Sequence, residues 1–416
     1  MKEIFVYADW IESSTPQLIG KLLATPIRGK EVFSFEYDPE WLKSSDACNL
    51  DPDLGLYHGT QYTHSNKSNF GVFTDSAPDR WGRVLMDRRE SLLSRIEKRP
   101  RHNLMESDYL LGVFDEHRMG ALRYKTSPDE EFLNDDQHFS TPPWTSLREL
   151  EQASYKLEED VIEDDPKIME WLYLLLAPGS SLGGARPKAG VANTDGTLWI
   201  AKFPSKDDRT DIGVWEMLVN ELGKQAGLQM AQAMVKKFSG KHHTFLTKRF
   251  DRRASGTRIH FSSAMTLLGY TDGDDANCGV SYLELAEFIM RSGARVSADL
   301  EELFRRIVFS ICVSNTDDHL RNHGFLLTPE GWILSPAYDI NPNPHGIGLR
   351  LNISDKDNSL DLGLAREIAP YLRLSDNKAT SIIKHIGNIV SDWRRVATQY
   401  KIPRNEQEQM KPAFRW

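Results

Sequence analysis

The chain has 416 residues, of which 40% are hydrophobic, and 51 Lys and Arg against 60 Asp and Glu give a net charge of −9. This length supports two or three packed units. The negative charge argues against a protein that binds nucleic acid over its whole surface, but it leaves room for a local basic patch. The three cysteines, Cys48, Cys278 and Cys312, predict neither a disulfide framework nor a zinc site, so we expect a reducing compartment.

The first elements of the chain are predicted to be strands. The stretches "EIFVYADW" and "EVFSFEYDPEWL" cluster β-branched and aromatic residues, and the first shows no signal-peptide pattern. The longest apolar run, Trp171 to Gly179, has about half the length needed to cross a bilayer. We therefore expect a cytoplasmic protein with no membrane association.

A basic helix is predicted after the turn "DSAPDRWG", because apolar residues then recur at helical spacing. The helix and its tail carry a set of cations: Arg88, Arg89, Arg95, Lys98, Arg99 and Arg101. They are interpreted as a solvated helix face, with a contact to DNA or to an acidic partner as the alternative. The acidic, Pro-bearing stretch from Thr126 to Trp144 then reads as a linker.

The second half predicts a small β-rich region followed by a mostly helical one. After "SSLGGARPK" the chain reads as a strand, an "NTDG" turn, the strand "LWIAKF", a helix ended by Gly227, and a further strand at "HHTFLTKRF". From about Tyr282 onward the pattern is helical, interrupted by one hairpin. The fold class predicted from these elements is α+β.

The interrupting hairpin carries the strongest chemical signal. Two apolar strands, "HGFLL" and "WILSPAYD", flank the turn "TPEG", so Asn322 before the first strand and Asp339 at the end of the second should lie close together. Two oxygen ligands at that end suit Mg²⁺, which shares its other positions with phosphates. Asp317 precedes Asn322 by the spacing of protein-kinase catalytic loops, where the aspartate accepts the proton of the substrate hydroxyl. Asp318 is the competing base, and His319 is expected to brace the loop.

A nucleotide would need a second group of residues upstream. Gly183 and Gly184 allow backbone N–H groups to approach phosphates, although the segment matches no standard phosphate-loop motif and a plain turn would explain it nearly as well. Lys202, on the strand that follows, could reach the phosphates and pair with Glu216 on the next helix; the alternative is an exposed lysine on an edge strand. The segment "TKRF" is predicted to correspond to a kinase hinge, whose backbone groups would contact the adenine of the nucleotide.

These motifs together resemble a known family. "SSLGGARPK", "WIAKFP", "KRFDRR", "NTDDHLRNHGFLL" and "SPAYDI" occur in the order found in the HipA family of bacterial serine/threonine kinases, the toxins of type II toxin–antitoxin modules. "FEYDPEWL" and "FTDSAPDRWGR" are similar to the N-terminal subdomain of that family. The segment "IHFSSAMTLLGYTDGDDANCG" matches nothing recognisable, which leaves the choice of target open.

The resemblance implies a protein-kinase-like, two-lobed fold with an N-terminal β-rich subdomain. The expected domains are 1–125 (N-terminal subdomain), 126–255 (kinase N-lobe) and 256–416 (helical C-lobe). The expected catalytic residues are Asp317, Asn322, Asp339 and His319, with Mg²⁺ on Asn322 and Asp339. ATP is expected to contact a larger set: Leu182, Gly183, Gly184, Ala185, Arg186, Lys188, Lys202, Glu216, Lys248, Arg249, Phe250 and Tyr338.

The resemblance also implies regulation and partners. Autophosphorylation at Ser181, with Ser180 as the alternative, would inactivate the enzyme by expelling the glycine loop. The expected partners are a helix-turn-helix antitoxin of the HipB type, operator DNA bound through that complex, and a protein substrate of the aminoacyl-tRNA synthetase class. Two other functions stay open: a small-molecule phosphotransferase on the same fold, and a catalytically dead repressor subunit.

Overall fold

The computed structural model describes residues 1–10, 15–64, 67–158, 167–176, 186–238 and 240–416. The chain divides into two compact units. Unit 1 comprises Met1–Asp207, Phe238–Gly240 and Asp251–Ser262, and unit 2 comprises Asp208–Lys237, Lys241–Phe250 and Ser263–Trp416. These units do not coincide with the three expected domains, and that division stays a prediction.

The strands lie mainly in the first two thirds of the chain, and their bounds are β1 (Lys2–Ala8), β2 (Gln17–Ile27), β3 (Lys30–Tyr37), β4 (Gln61–Tyr62), β5 (Leu122–Lys125), β6 (Lys188–Ala192), β7 (Leu198–Lys202), β8 (Ala233–Lys236), β9 (Thr244–Lys248), β10 (Phe261–Ser263), β11 (Gly324–Thr328) and β12 (Gly331–Leu334). The helices are α1 (Pro39–Lys43), α2 (Gly71–Thr74), α3 (Arg80–Ile96), α4 (Glu106–Gly112), α5 (Leu147–Glu158), α6 (Ile168–Leu176), α7 (Ile212–Gln225), α8 (Ala264–Leu267), α9 (Tyr282–Ser292), α10 (Val296–Cys312), α11 (Leu362–Ile368), α12 (Asp376–Ser391), α13 (Trp393–Gln399) and α14 (Arg404–Met410).

Unit 1 is built on a five-stranded antiparallel sheet in the order β4-β3-β2-β1-β5. Ile4 on β1 lies opposite Leu22 on β2, and Leu22 lies opposite Phe35 on β3. All three side chains are fully or almost fully buried, and burial of each stabilises the sheet by roughly 1.5–3 kcal/mol. The apolar residues that cluster in the first strands therefore lie opposite one another across the sheet and form part of the core of unit 1.

The basic helix α3 begins at the N-cap Asp79, whose side chain accepts the Gly82 N–H at 2.8 Å. Its cations contact neighbouring groups of unit 1. Arg99 binds Glu90 at 2.5 Å and Glu97 at 2.6 Å. These ion pairs offset the charge of Arg99, in the tail after the helix, and the choice between a solvated face and a contact with DNA or an acidic partner stays a prediction.

Unit 2 is mostly helical, as predicted from Tyr282 onward. Its central helix α10 buries Leu303, Ile307 and Ile311 at the spacing of one helix face, and it packs against α12. The last turn of this amphipathic helix lies inside the core, and the loop that carries Asp317 follows soon after it. Among the described residues, no helix is both long and apolar enough to cross a membrane.

Candidate active site

The predicted hairpin is present in unit 2. Strands β11 and β12 are antiparallel, with Phe325 opposite Leu334, and the Thr328 hydroxyl donates to the Gly331 carbonyl at 2.8 Å across the turn. Strand β12 ends at Leu334, earlier than expected, and Pro336 cannot donate a ladder hydrogen bond. Asp339 therefore follows an irregular segment and does not end the strand itself.

Asp317 and Asn322 are joined by a direct hydrogen bond. Asp317 is exposed, whereas Asn322 is only 5% exposed. Asn322 is the last residue of a 3₁₀ turn that begins at Leu320. The Nδ2 of Asn322 donates to the Asp317 carbonyl at 3.0 Å, which fixes the orientation of the amide. Its Oδ1 is buried and has no hydrogen-bond partner among the described residues. A buried acceptor without a hydrogen-bond partner lowers the stability of the folded state by about 1–3 kcal/mol, and a ligand bound to this oxygen would restore that stability.

Asp339 has a strained backbone. Its φ of +56° lies in the left-handed region, which few residues other than glycine adopt and which is enriched at functional sites. Its Oδ1 accepts a hydrogen bond from Asn341 Nδ2 at 3.0 Å. The preceding Tyr338 donates its hydroxyl to the Arg321 carbonyl at 2.6 Å. The segment that carries Asp339 is thus tied to the turn that carries Asn322.

The donor set fits Mg²⁺. The amide oxygen of Asn322 and the carboxylate of Asp339 are hard oxygen ligands, and Mg²⁺ commonly takes one or two of these together with phosphates and water. Within the described ranges, no three His, Cys, Asp or Glu side chains form a group able to hold a metal ion. A metal here would share its coordination with a nucleotide.

Asp318, the competing base, lies in a different environment. It is 4% exposed, and Tyr282, Ser310 and His323 all contact its carboxylate. A group this enclosed cannot reach a hydroxyl of a protein substrate. The accessible carboxylate of the pair is that of Asp317.

His319 contributes to the loop through its backbone. Its N–H donates to the Asp317 carbonyl at 2.9 Å, and its carbonyl accepts the Asn322 N–H at 2.9 Å. The imidazole is half-buried, and its Nδ1 has no hydrogen-bond partner within the described part of the chain. A catalytic role for this ring stays a prediction.

The glycine-loop residues are only partly described. Ser180, Ser181, Leu182, Gly183, Gly184 and Ala185 lie outside the described residues. Arg186 donates to the Phe203 carbonyl at 3.3 Å. The Lys188 ammonium lies 2.7 Å from Asp79 Oδ2, and both side chains are almost completely buried. Lys188 therefore joins β6 to the cap of α3, and its predicted contact with phosphate stays a prediction.

The other predicted nucleotide residues are divided between the units. Lys202 ends β7 in unit 1 and is half-buried, whereas Glu216 lies on α7 in unit 2 and is 5% exposed, so their pairing stays a prediction. In unit 2, the Lys248 N–H is bonded to the Gln232 carbonyl at 2.8 Å and is not available to an adenine. Arg249 is buried.

Phe250 and Tyr338 form an aromatic pair within unit 2. Their ring centroids lie 5.4 Å apart at an angle of 37°. The pair joins the end of the predicted adenine segment to the residue that precedes Asp339. Two groups of predicted site residues are thereby in contact.

Several polar residues around the loop were missed by sequence reasoning: Tyr282, Ser310, His323 and Asn341. The only signal for Ser310 was a hydroxyl inside the apolar run "IVFSICV" of α10. Tyr282 lies 36 residues from its partner Asp318, a separation at which no sequence pattern predicts contact.

A family model for the HipA-like C-terminal domain matches residues 180–393, slightly more than half of the 416-residue chain. This chain belongs to the HipA-like family. The match begins at the predicted glycine loop of this HipA-like chain and includes Asp317, Asn322 and Asp339.

Curated relatives of this HipA-like chain are named as kinases. A putative kinase of Haemophilus influenzae is 27% identical over 188 residues, which is 40% of this chain and 54% of the relative. The serine/threonine-protein kinase toxin HipA of Shewanella oneidensis is 24% identical over 225 residues, which is 48% of this chain and 50% of that protein. The chain thus aligns with about half the length of the curated relatives it matches.

A solved structure supports the fold over nearly the whole chain. A HipA of Shewanella oneidensis, determined with HipB and operator DNA, matches with a TM-score of 0.64 at 19% identity, covering 99% of this chain and 94% of that chain. The predicted α+β fold of the HipA-like, kinase-like class is therefore confirmed.

Proposed function

We propose that this chain is an ATP- and Mg²⁺-dependent serine/threonine protein kinase of the HipA toxin type. One observation carries the proposal: an exposed Asp317 is hydrogen-bonded through its backbone to Asn322, whose buried Oδ1 has no hydrogen-bond partner among the described residues. The residue with the accessible carboxylate is thus bonded to the residue whose amide oxygen is suited to a metal. The kinase names of the curated relatives support this function.

The proposed chemistry assigns a role to each group. Asp317 accepts the proton of the substrate hydroxyl, and Asn322 with Asp339 would hold Mg²⁺. Bound Mg²⁺ would neutralise charge on the phosphate oxygens. Lys202 would hold phosphate, with Glu216 as its predicted partner, and the segment from Lys248 to Phe250 would border the adenine.

The proposed partners follow the HipA type. A HipB-type antitoxin and operator DNA are proposed because the Shewanella oneidensis HipA was determined with both. A protein substrate of the aminoacyl-tRNA synthetase class, whose phosphorylation would arrest growth, is proposed on the sequence resemblance. Self-inactivation at Ser181, with Ser180 as the alternative, rests on the same resemblance.

The first prediction tests the base. In Asp317→Gln the side chain can no longer accept a proton, so we expect phosphate incorporation to fall by about 10²–10⁴-fold while nucleotide affinity changes little. The phosphatase-treated protein is incubated with Mg-ATP, and added phosphate is followed by intact-mass spectrometry. Asp355→Gln, at an exposed position of the same unit, is the matched control and should label at the parental rate.

The outcomes separate the alternatives. If Asp317→Gln labels as fast as the parent, the assignment of the base is wrong. If the parent gains no phosphate but transfers phosphate to a small hydroxyl compound, the chain is a small-molecule phosphotransferase. If it turns over no ATP yet binds operator DNA together with an antitoxin, it is a repressor subunit without kinase activity.

A further inference from the structure

Asp318 is enclosed by three polar side chains from three parts of unit 2. Its Oδ2 accepts the Tyr282 hydroxyl at 2.5 Å and the Ser310 hydroxyl at 3.2 Å, from the start of α9 and the end of α10. Its Oδ1 lies 3.1 Å from His323 Nε2, just after the 3₁₀ turn. The carboxylate is thereby connected to helices α9 and α10 and to the residue next to Asn322.

The charge state of Asp318 agrees with this geometry. Burial alone would raise the pKa of Asp318, but His323, Tyr282 and Ser310 together outweigh burial and lower the pKa of that carboxyl below its ordinary value. Burial and the adjacent Asp318 raise the pKa of Tyr282 well above its ordinary value, so its hydroxyl stays a donor. The group is an ionised carboxylate inside a core, a state that needs such donors.

The spacing relates this network to the proposed site. Asp317 and Asn322 are five residues apart, and Asp318 and His323 are the residues that follow each of them. The first pair is joined by the hydrogen bond from Asn322 Nδ2, and the second pair by the contact between carboxylate and imidazole. The His323 carbonyl also accepts the Ala264 N–H at 2.7 Å, which fixes the far end of the loop to α8.

We infer that Asp318 and His323 are positioning residues, which hold the base Asp317 and the metal ligand Asn322 at a fixed separation. The inner pair closes the loop on the core side, where Tyr282 and Ser310 anchor it, and the outer pair stays available for catalysis. Asp318 acts through its neighbours and does not touch the substrate, because it is buried. This inference rests on the proposed function, which assigns the roles of Asp317 and Asn322.

The kinetic experiment uses Asp318→Asn in the full chain. The amide keeps the shape of the side chain but removes the charge and one acceptor, so we expect the turnover rate to fall about 10–100-fold, as for other residues that orient a ligand. The KM for ATP should change little, and a higher Mg²⁺ concentration should be needed for half-maximal rate. Asp361→Asn makes the same carboxylate-to-amide change at the exposed N-cap of α11 in the same unit, where the amide oxygen can still accept the Gly363 N–H, so it is the matched control and should keep the parental rate.

A double variant distinguishes positioning from loss of folded protein. Measured at saturating Mg²⁺, which compensates for a displaced Asn322, Asp318→Asn should add no further loss to the residual activity of Asp317→Gln, because the base that it positions is already removed. If it lowers that residual activity by the same factor as in the parent, the effect is structural and the inference is overturned. An unchanged turnover rate in Asp318→Asn overturns it as well.

An experiment that needs no activity keeps the inference separate from the proposed function. Hydrogen exchange of the backbone amides from Asp317 to His323 is followed by mass spectrometry in the parent, Asp318→Asn and Asp361→Asn. We expect faster exchange of this segment in Asp318→Asn alone. If the segment exchanges at the parental rate, Asp318 does not hold the loop, whereas a parent without phosphoryl transfer would refute the proposed function instead.

Discussion

At the residue scale, Asp317 and Asp318 show that adjacent identical residues can have opposite uses. Asp317 is exposed and bonded only through its backbone in the contacts described above, whereas Asp318 is enclosed by a tyrosine, a serine and a histidine. In the sequence, only the five-residue spacing to Asn322 favoured Asp317 over Asp318 as the base. In the structure, the burial of Asp318 and the exposure of Asp317 distinguish the two carboxylates. An accessible carboxylate can accept a proton from a substrate, and a carboxylate enclosed by three side chains cannot.

Arg118 is the corresponding case in unit 1, because its guanidinium is fully buried. It donates to four carbonyls, those of Ser76, Leu110, Val113 and Leu133, at 2.8–3.1 Å, and it lies 4.5 Å from the centroid of the Tyr124 ring. Burial lowers the pKa of Arg118 to about 10, so it is still charged at pH 7. The Arg118 side chain thus supplies the hydrogen-bond donors for four backbone carbonyls in loops and at a helix end.

The second prediction concerns the stability of unit 1. Arg118→Met leaves four carbonyls without their donor, so we expect the free energy of unfolding to fall by about 3–5 kcal/mol. Urea denaturation followed by circular dichroism measures the loss. Arg148→Met, at an exposed position of the same unit, should change stability by less than about 0.5 kcal/mol. Equal stability of the two variants would contradict the assigned role.

At the element scale, the position of α7 depends on a glycine. A Cβ on Gly213 would lie 2.4 Å from the His243 carbonyl oxygen, just before β9, so the helix approaches the strand more closely than any other residue permits. The N-cap Asp211 strengthens the same junction by accepting the His243 N–H at 2.9 Å. Helix α7 carries Glu216, and this contact therefore helps to place a predicted site residue.

The third prediction compares two glycines on α7. In Gly213→Ala the new methyl meets backbone, which cannot rotate away, so we expect a loss of about 1–3 kcal/mol in the free energy of unfolding. At Gly223 the nearest atom to a Cβ would be the Met230 Sδ at 2.7 Å, the end of a flexible side chain. Gly223→Ala should therefore be neutral or stabilise the helix by up to about 1 kcal/mol. Thermal denaturation of both variants measures the two changes in stability. Equal losses of stability in Gly213→Ala and Gly223→Ala would contradict the prediction.

At the scale of the whole molecule, stability depends on a neutral imidazole buried in unit 1. His260 stacks on Trp10 with ring centroids 4.6 Å apart, and burial lowers its pKa from 6.5 to about 3. The unfolded chain binds a proton at this residue below pH 6.5, whereas the folded chain does so only near pH 3. The contribution of His260 is therefore complete above pH 6.5 and declines as the pH falls from 6.5 towards 3.

The fourth prediction concerns the loss of stability as the pH falls. Between pH 7.5 and pH 5 the titration of His260 should lower the free energy of unfolding by about 2 kcal/mol. His260→Phe keeps the ring stack and removes the titration, so its stability should decline less over the same range. Urea denaturation across a pH series measures both slopes. Parallel curves for parent and variant would show that His260 does not titrate as described.

The sequence by itself determined the local features of this protein. The strands of unit 1, the helices after Tyr282, the hairpin turn and the spacing of Asp317 and Asn322 all follow from residues a few positions apart, where propensity and periodicity act. The length of β12 was overestimated because apolar residues continue past Leu334 although pairing stops there. The nucleotide residues are still predictions, since no local pattern states where a loop side chain points.

The tertiary structure decided which of those residues are buried and what they contact. Lys188 binds Asp79 from 109 positions away, and Asp251–Ser262 belongs to unit 1 although the residues on both sides belong to unit 2. Asp318 became an anchor because α9 and α10 bring Tyr282 and Ser310 to it. These long-range contacts depend on how whole helices and strands pack to bury apolar surface. A charged group buried by that packing is stable only where the packing also brings hydrogen-bonding or oppositely charged groups to it.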